Sequence, residues 1–139
     1  MSDLESQVSG AFLPLIEAGL LRLESSVVGG SFDQAAVRLG GRNVVVRLTR
    51  DRGSVSLDVS SRHSTDEWYP PEWLTDGLTQ GELPLARVTT PSDAARLIVN
   101  CLPELERLMS PDEYARTANR IHELEPALRV KMLDALHRG

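Results

Sequence analysis

Two stretches of this chain alternate apolar and polar side chains, and little but an antiparallel hairpin accommodates them. In the first, Val44, Val46 and Leu48 share one side while Asn43, Val45, Arg47 and Thr49 share the other. In the second, Val55, Leu57 and Val59 alternate with Ser54, Ser56, Asp58 and Ser60. A period of two places each set on opposite faces of a strand, so one face is packed and the other wet. Asp51-Arg52-Gly53 lies between them, short enough for a hairpin loop, with Gly53 supplying a left-handed residue. Asp58 is then expected to pair with Arg47 across the hairpin.

Upstream, residues 31–39 read as a further strand, closed by Gly40-Gly41, a dipeptide that tolerates the positive φ of tight turns. Before it, Val8, Phe12, Leu15, Ile16 and Leu20 fall near helical spacing across residues 4–23, with Pro14 starting or kinking the helix near Leu13 and Gly19 weakening it. Downstream, Pro70-Pro71 stops any strand, a short helix fits residues 72–78, and residues 81–89 read as loop or a fourth, edge strand anchored by Leu83, Leu85 and Val88.

The last third is helical. Thr90-Pro91-Ser92-Asp93 and Ser110-Pro111-Asp112-Glu113 each offer a hydroxyl cap, proline at the first helical position and an acid three residues after the cap. Ala94, Leu97, Ile98, Cys101, Leu105 and Leu108 form the apolar stripe of the first helix. Tyr114, Ala118, Ile121, Leu124, Leu128, Met132 and Leu136 form that of the second. Pro103 and Pro126 are expected to kink or divide these helices. The fold class is therefore α+β: an N-terminal helix, then a three- or four-stranded antiparallel meander packed on one face by C-terminal helices. With 139 residues and no linker or repeat, residues 1–139 read as a single domain.

Charge excludes some function classes. The net charge of −5 argues against general nucleic-acid affinity, and no stretch approaches a membrane span. The lone cysteine, Cys101, lies in an apolar run and reads as a buried hydrophobe, which together with a start lacking secretory character points to the cytoplasm. His63, His122 and His137 have no metal-ligand spacing, and Gly29-Gly30-Ser31 and Gly40-Gly41-Arg42-Asn43 lack the pattern of a phosphate loop. Asp51 and Asp58 sit on a turn and a wet strand face, unsuited to act together as acid and base. No catalytic residue, metal ligand or cofactor is expected.

Charge is also polarised. Residues 32–63 carry six arginines against three aspartates, whereas residues 64–82 carry five acids and no base. Both tryptophans lie in that acidic stretch, in Asp66-Glu67-Trp68-Tyr69-Pro70-Pro71-Glu72-Trp73. Aromatic residues beside a rigid Pro-Pro suit a binding hot spot, and acids around them suit a basic partner. Asp66, Glu67, Trp68, Tyr69, Glu72, Trp73 and Asp76 are thus the candidate partner-binding residues. The competing expectation is that Trp68 or Trp73 packs over an open edge or end of the sheet. A separate reading has Arg38, Arg47 and Arg62 gripping an anion or small ligand.

The order of an arginine-rich strand, the Arg-Asp-Arg-Gly turn, the strand Val-Ser-Leu-Asp-Val and then Glu-Trp-Tyr, within residues 42–74, resembles small bacterial α+β proteins, some of which are immunity partners of polymorphic toxins. The resemblance implies a cytosolic protein that neutralises a toxin by binding, without catalysis; the partner would be a protein, such as a basic toxin domain. A homo-oligomeric adaptor or chaperone-like protein, pairing as a homodimer through a sheet edge or its C-terminal helices, is the alternative.

Overall fold

The alternating stretches pair in register as strands of a computed structural model that describes residues 3–29, 34–85 and 88–138, with the side chains of Asp66 and Arg138 outside that description. Five strands, β1 (Arg22–Val28), β2 (Ala35–Gly40), β3 (Val44–Asp51), β4 (Ser54–Ser61) and β5 (Ser64–Tyr69), form an antiparallel meander in chain order. Helices α1 (Asp3–Ala11) and α2 (Leu13–Glu17) precede it. A π-helical turn (Trp73–Gly77) runs on into α3 (Leu78–Gln80), followed by α4 (Pro91–Leu108) and α5 (Tyr114–Arg138).

Register produces two rows that explain the layers. Leu23, Leu39, Val46, Val59 and Tyr69 stand opposite one another across all five strands, and on β2, β3, β4 and β5 this row is buried. Ser25, Arg38, Arg47 and Asp58 form the neighbouring row on the other face. The apolar face meets Leu4, Val8 and Phe12 from the N-terminal segment, Leu74 and Leu83 from the connection, and Ile98, Leu105, Met109 and Ile121 from the C-terminal part, in one cluster. Helices therefore cover one side of the sheet.

Several expectations need correction. The sheet gains β1 and β5 beyond the strands that alternation marked. Residues 22 and 23, read as the end of a helix, begin β1, because Gly19 takes a φ of 74° and turns the chain. A register shift between Leu23 and Ser25 hides the strand's alternation. Residues 31–33 of the expected strand, and 86 and 87 of the expected loop or edge strand, lie outside the described residues. Leu83 is buried as an anchor, Leu85 is exposed, and the described part of 81–89 is not a strand.

The Gly40-Gly41 turn does not use positive φ. Its glycines leave room for side chains: a Cβ on Gly40 would displace the ends of Glu24 and Arg62, and one on Gly41 would lie 3.0 Å from the Glu106 carboxylate. The Asp51–Ser54 turn has positive φ at both Arg52 (54°) and Gly53 (84°), as a type I′ hairpin demands.

Thr90 caps α4 as expected, its hydroxyl accepting from the Asp93 N–H at 3.1 Å with Pro91 in the first turn. Ser110 does not begin α5. Its carbonyl instead accepts from Glu113 and Tyr114 in a turn, and the helix starts at Tyr114. Neither Pro103 nor Pro126 divides its helix. Each deprives the carbonyl four residues back of its donor, and those residues, Val99 and His122, are exposed and so open to water.

Candidate protein-binding surface

The acidic aromatic segment is mostly turned inward. Tyr69, at the end of the buried row on β5, is only 2% exposed. Its hydroxyl donates to the Glu67 carboxylate at 2.7 Å, and the same oxygen lies 2.7 Å from Nε2 of His122 on α5. Burial, then the Glu67 hydrogen bond, pushes the Tyr69 phenol well above its ordinary range. The hydrogen bonds from Tyr69 and then His122 hold Glu67 below the usual carboxylate value, and the Glu67 hydrogen bond raises His122. Tyr69 is therefore a core residue that ties β5 to α5, a correction to its expected place on a contact surface: the period of two sends it opposite Val59, into the core.

Trp73 follows the competing expectation, whereas Trp68 does not cover the core. Trp73 is half-buried, its ring centroid 6.4 Å from that of Tyr69, and its indole N–H donates to the Pro84 carbonyl at 2.8 Å. Trp68, one residue before Tyr69, points to the opposite face. There its ring lies 4.1 Å from the Arg47 guanidinium and 5.0 Å from that of Arg38, within cation–π range of both. Glu72 is half-buried, Asp76 is exposed, and Asp66 has no described side chain. The expected contact set thus divides between core, sheet cover and solvent.

The arginine set divides too. Arg47 pairs with Asp58 at 3.1 Å, as the hairpin pattern required, and stands directly opposite Arg38. Arg62 is elsewhere, held by Glu24 at 3.0 Å and by the Gly41 carbonyl at 3.0 Å. Arg38 and Arg47 share a depression of about 650 Å3 with Ser25, Val27, Ala36 and Thr49. Among the described residues Arg38 has no carboxylate partner, so the outer row keeps one uncompensated positive charge.

Glu106 is the structural contact that sequence patterning missed. From the last turns of α4 its carboxylate accepts the backbone N–H groups of Arg42 (2.7 Å), Asn43 (2.9 Å) and Val44 (2.7 Å), while the Asn43 side chain donates to the Glu106 carbonyl at 3.0 Å. A helix is thereby fastened to the β2–β3 turn. The only signal was an acid near a helix end and a Gly-Gly turn whose next residue, Arg42, is 64 residues away in sequence.

Two exposed apolar surfaces were also missed. Every residue of β1 is exposed, including Leu23, Val27 (61%) and Val28 (66%), although Leu23 stands opposite the fully buried Leu39. The helical layer leaves this strand exposed, and among the described residues it pairs with β2 alone. On α5 the packed stripe of Ile121, Leu124 and Leu128 runs on into Met132, Leu133 and Leu136, with Val130 beside it, and these last four are exposed. Met132 and Leu136, expected on a packed face, are not core, because the body beneath the helix ends near Leu128. Lys131 holds this part to Glu82 at 2.7 Å.

Cys101 is buried, and its thiol is pushed up to about 12, chiefly by burial, then by the nearby Glu104, Glu72 and Asp76 carboxylates. It is a packing residue. Among the described residues no helix is long and apolar enough to cross a membrane, and no three His, Cys, Asp or Glu residues gather where a metal ion could sit. No protein-family model, curated protein or solved structure matches this chain.

Proposed function

We propose that the protein is a non-catalytic protein-binding module that takes hold of an extended segment of a partner at the open edge of β1. Immunity-like neutralisation of a toxin or effector by direct contact is the form of this function that the hairpin resemblance implies. The observation that carries the reading is β1 itself: among the described residues an edge strand, on which Leu23, Val27 and Val28 are exposed. An uncovered edge offers unpaired N–H and C=O groups to a further strand, and natural proteins usually blunt such edges. The acidic 66–76 segment is the weaker contact surface, since Tyr69, Trp68 and Trp73 already serve the fold.

A second reading, assembly into homo-oligomers through α5, is favoured by the exposed Val130, Met132, Leu133 and Leu136. One experiment separates the two. A photocrosslinking amino acid placed at position 27, at 133, or at the control position 123 is activated in cells. The first reading expects adducts at 27 with a different protein; the second expects adducts at 133 at twice the 15.3 kDa chain mass. Adducts no more frequent at 27 and 133 than at 123 would overturn both.

A further inference from the structure

We infer that the segment received by β1 is one in which acidic side chains alternate with aliphatic ones; this rests on the edge-binding reading above. The two cross-strand rows dictate the pattern. A sixth strand beside β1 would extend the row Leu23, Leu39, Val46, Val59, Tyr69 on the helical side and the row Ser25, Arg38, Arg47, Asp58 on the other.

On the helical side the open edge is aliphatic at Leu23 and Val28, with Ser26 between them opposite Val37. Leu23 and Val28 stand opposite Leu39 and Ala35, both buried, yet are themselves exposed. An incoming leucine, isoleucine or valine would remove their surface from water, which is the main favourable term available there.

On the outer side the open end is electrostatic. Asp58 balances Arg47, whereas Arg38 is stacked on Trp68 with no carboxylate beside it among the described residues. Two guanidinium groups directly opposite on neighbouring strands repel, and one acid cannot offset both. Between Arg38 and the edge stands only Ser25, whose small side chain keeps the depression above it open. An added strand would lie two strand spacings from β2, about 9.6 Å, within the combined reach of a glutamate and an arginine. Thr49 and Ser25 supply hydroxyl donors in the same depression. Glu24, the acid on β1 itself, does not oppose such a partner, since Arg62 and Arg22 flank it. The pattern therefore asks for acid outward and aliphatic inward, at a period of two.

The test uses the full chain and fluorescein-labelled synthetic peptides of about seven residues, the length of an ordinary strand, followed by fluorescence anisotropy. One peptide alternates valine and glutamate, one alternates valine and lysine, and one holds valines and glutamates in separate blocks. The Val-Glu peptide is expected to bind at least about tenfold more tightly than the other two. Arg38→Glu should reverse the preference between glutamate and lysine, Arg38→Gln should erase it, and Val28→Lys, on the helical side opposite Ala35, should weaken every peptide. Equal binding of the Val-Glu and Val-Lys peptides, unchanged by Arg38→Glu, overturns the acidic partner and leaves the edge reading standing. A wild-type dimer that Val28→Lys dissociates in light scattering, with no peptide bound, makes the occupant a second copy and overturns this inference. Neither peptide binding nor a dimer overturns the edge reading itself. Circular dichroism of each variant confirms that the fold is retained.

Discussion

The Arg47 guanidinium lies 4.1 Å from the centre of the Trp68 ring while pairing with Asp58 at 3.1 Å, so a single side chain joins β3, β4 and β5 on the face that no helix covers. Trp68 acts as a lid for that face. Trp68→Ala should lower stability by about 2 kcal/mol, combining lost aromatic burial with two cation–π contacts. Trp68→Phe should recover part of the loss. Urea unfolding measures both, and a cost to Trp68→Ala below about 0.5 kcal/mol would mean that the ring contributes little there.

Glu106 accepts three backbone N–H groups at once, and a charged acceptor strengthens each bond. Glu106→Ala should destabilise the protein by about 2 kcal/mol and speed hydrogen exchange at Arg42, Asn43 and Val44 more than at the centre of β3. Uniform acceleration across the sheet would instead indicate loss of global stability alone.

Arg52 holds a φ of 54° without being glycine. Replacing it with glycine or asparagine, which enter this region more readily, should stabilise the hairpin by about 0.5 kcal/mol. Thermal unfolding of Arg52→Asn reports the sign. A lower melting temperature would show that the arginine side chain has compensating contacts.

The contact of Glu67 with His122 predicts a pH dependence. His122 is raised in the folded state, so its contribution is complete below the ordinary histidine pKa and is lost as pH climbs through the folded value. Glu67 is lowered, so its contribution is present above the ordinary carboxylate value and fades as pH falls through the folded one. Between about pH 5 and pH 8 the histidine dominates. The stability difference between wild type and His122→Ala should shrink as pH rises across this window. Both side chains are about half exposed, so the change is a few tenths of a kcal/mol. A difference that grows with pH would contradict the assignment.

Alternation in 43–49 and 54–60 was sufficient to place β3, β4, their packed face and the Arg47–Asp58 pair, because strand periodicity and direct cross-strand pairing are local consequences of the chain; Val45 and Ser60, opposite each other on the face expected to be wet, are nevertheless buried. The Thr90 cap was equally local. At the candidate surface, sequence order marked residues 66–76 as unusual without saying which way they point. Their facing follows from β5 joining β4, with Tyr69 opposite Val59, so Tyr69 turns into the core and Trp68 out onto Arg47. The Arg38, Arg47 and Arg62 group separated for the same reason: strand register, not sequence distance, sets which charges meet.

What the sequence by itself determined is the α+β class, the central hairpin and the helix that Thr90 begins, all of which depend on neighbours a few residues apart. Only the tertiary structure decided which apolar residues are covered. Leu23, Val27, Val28, Met132 and Leu136 are as hydrophobic as their buried counterparts, and they remain exposed because the helical layer stops before β1 and the body ends before the last turns of α5. Burial depends on what packs opposite a residue, and that is a property of the assembled layers.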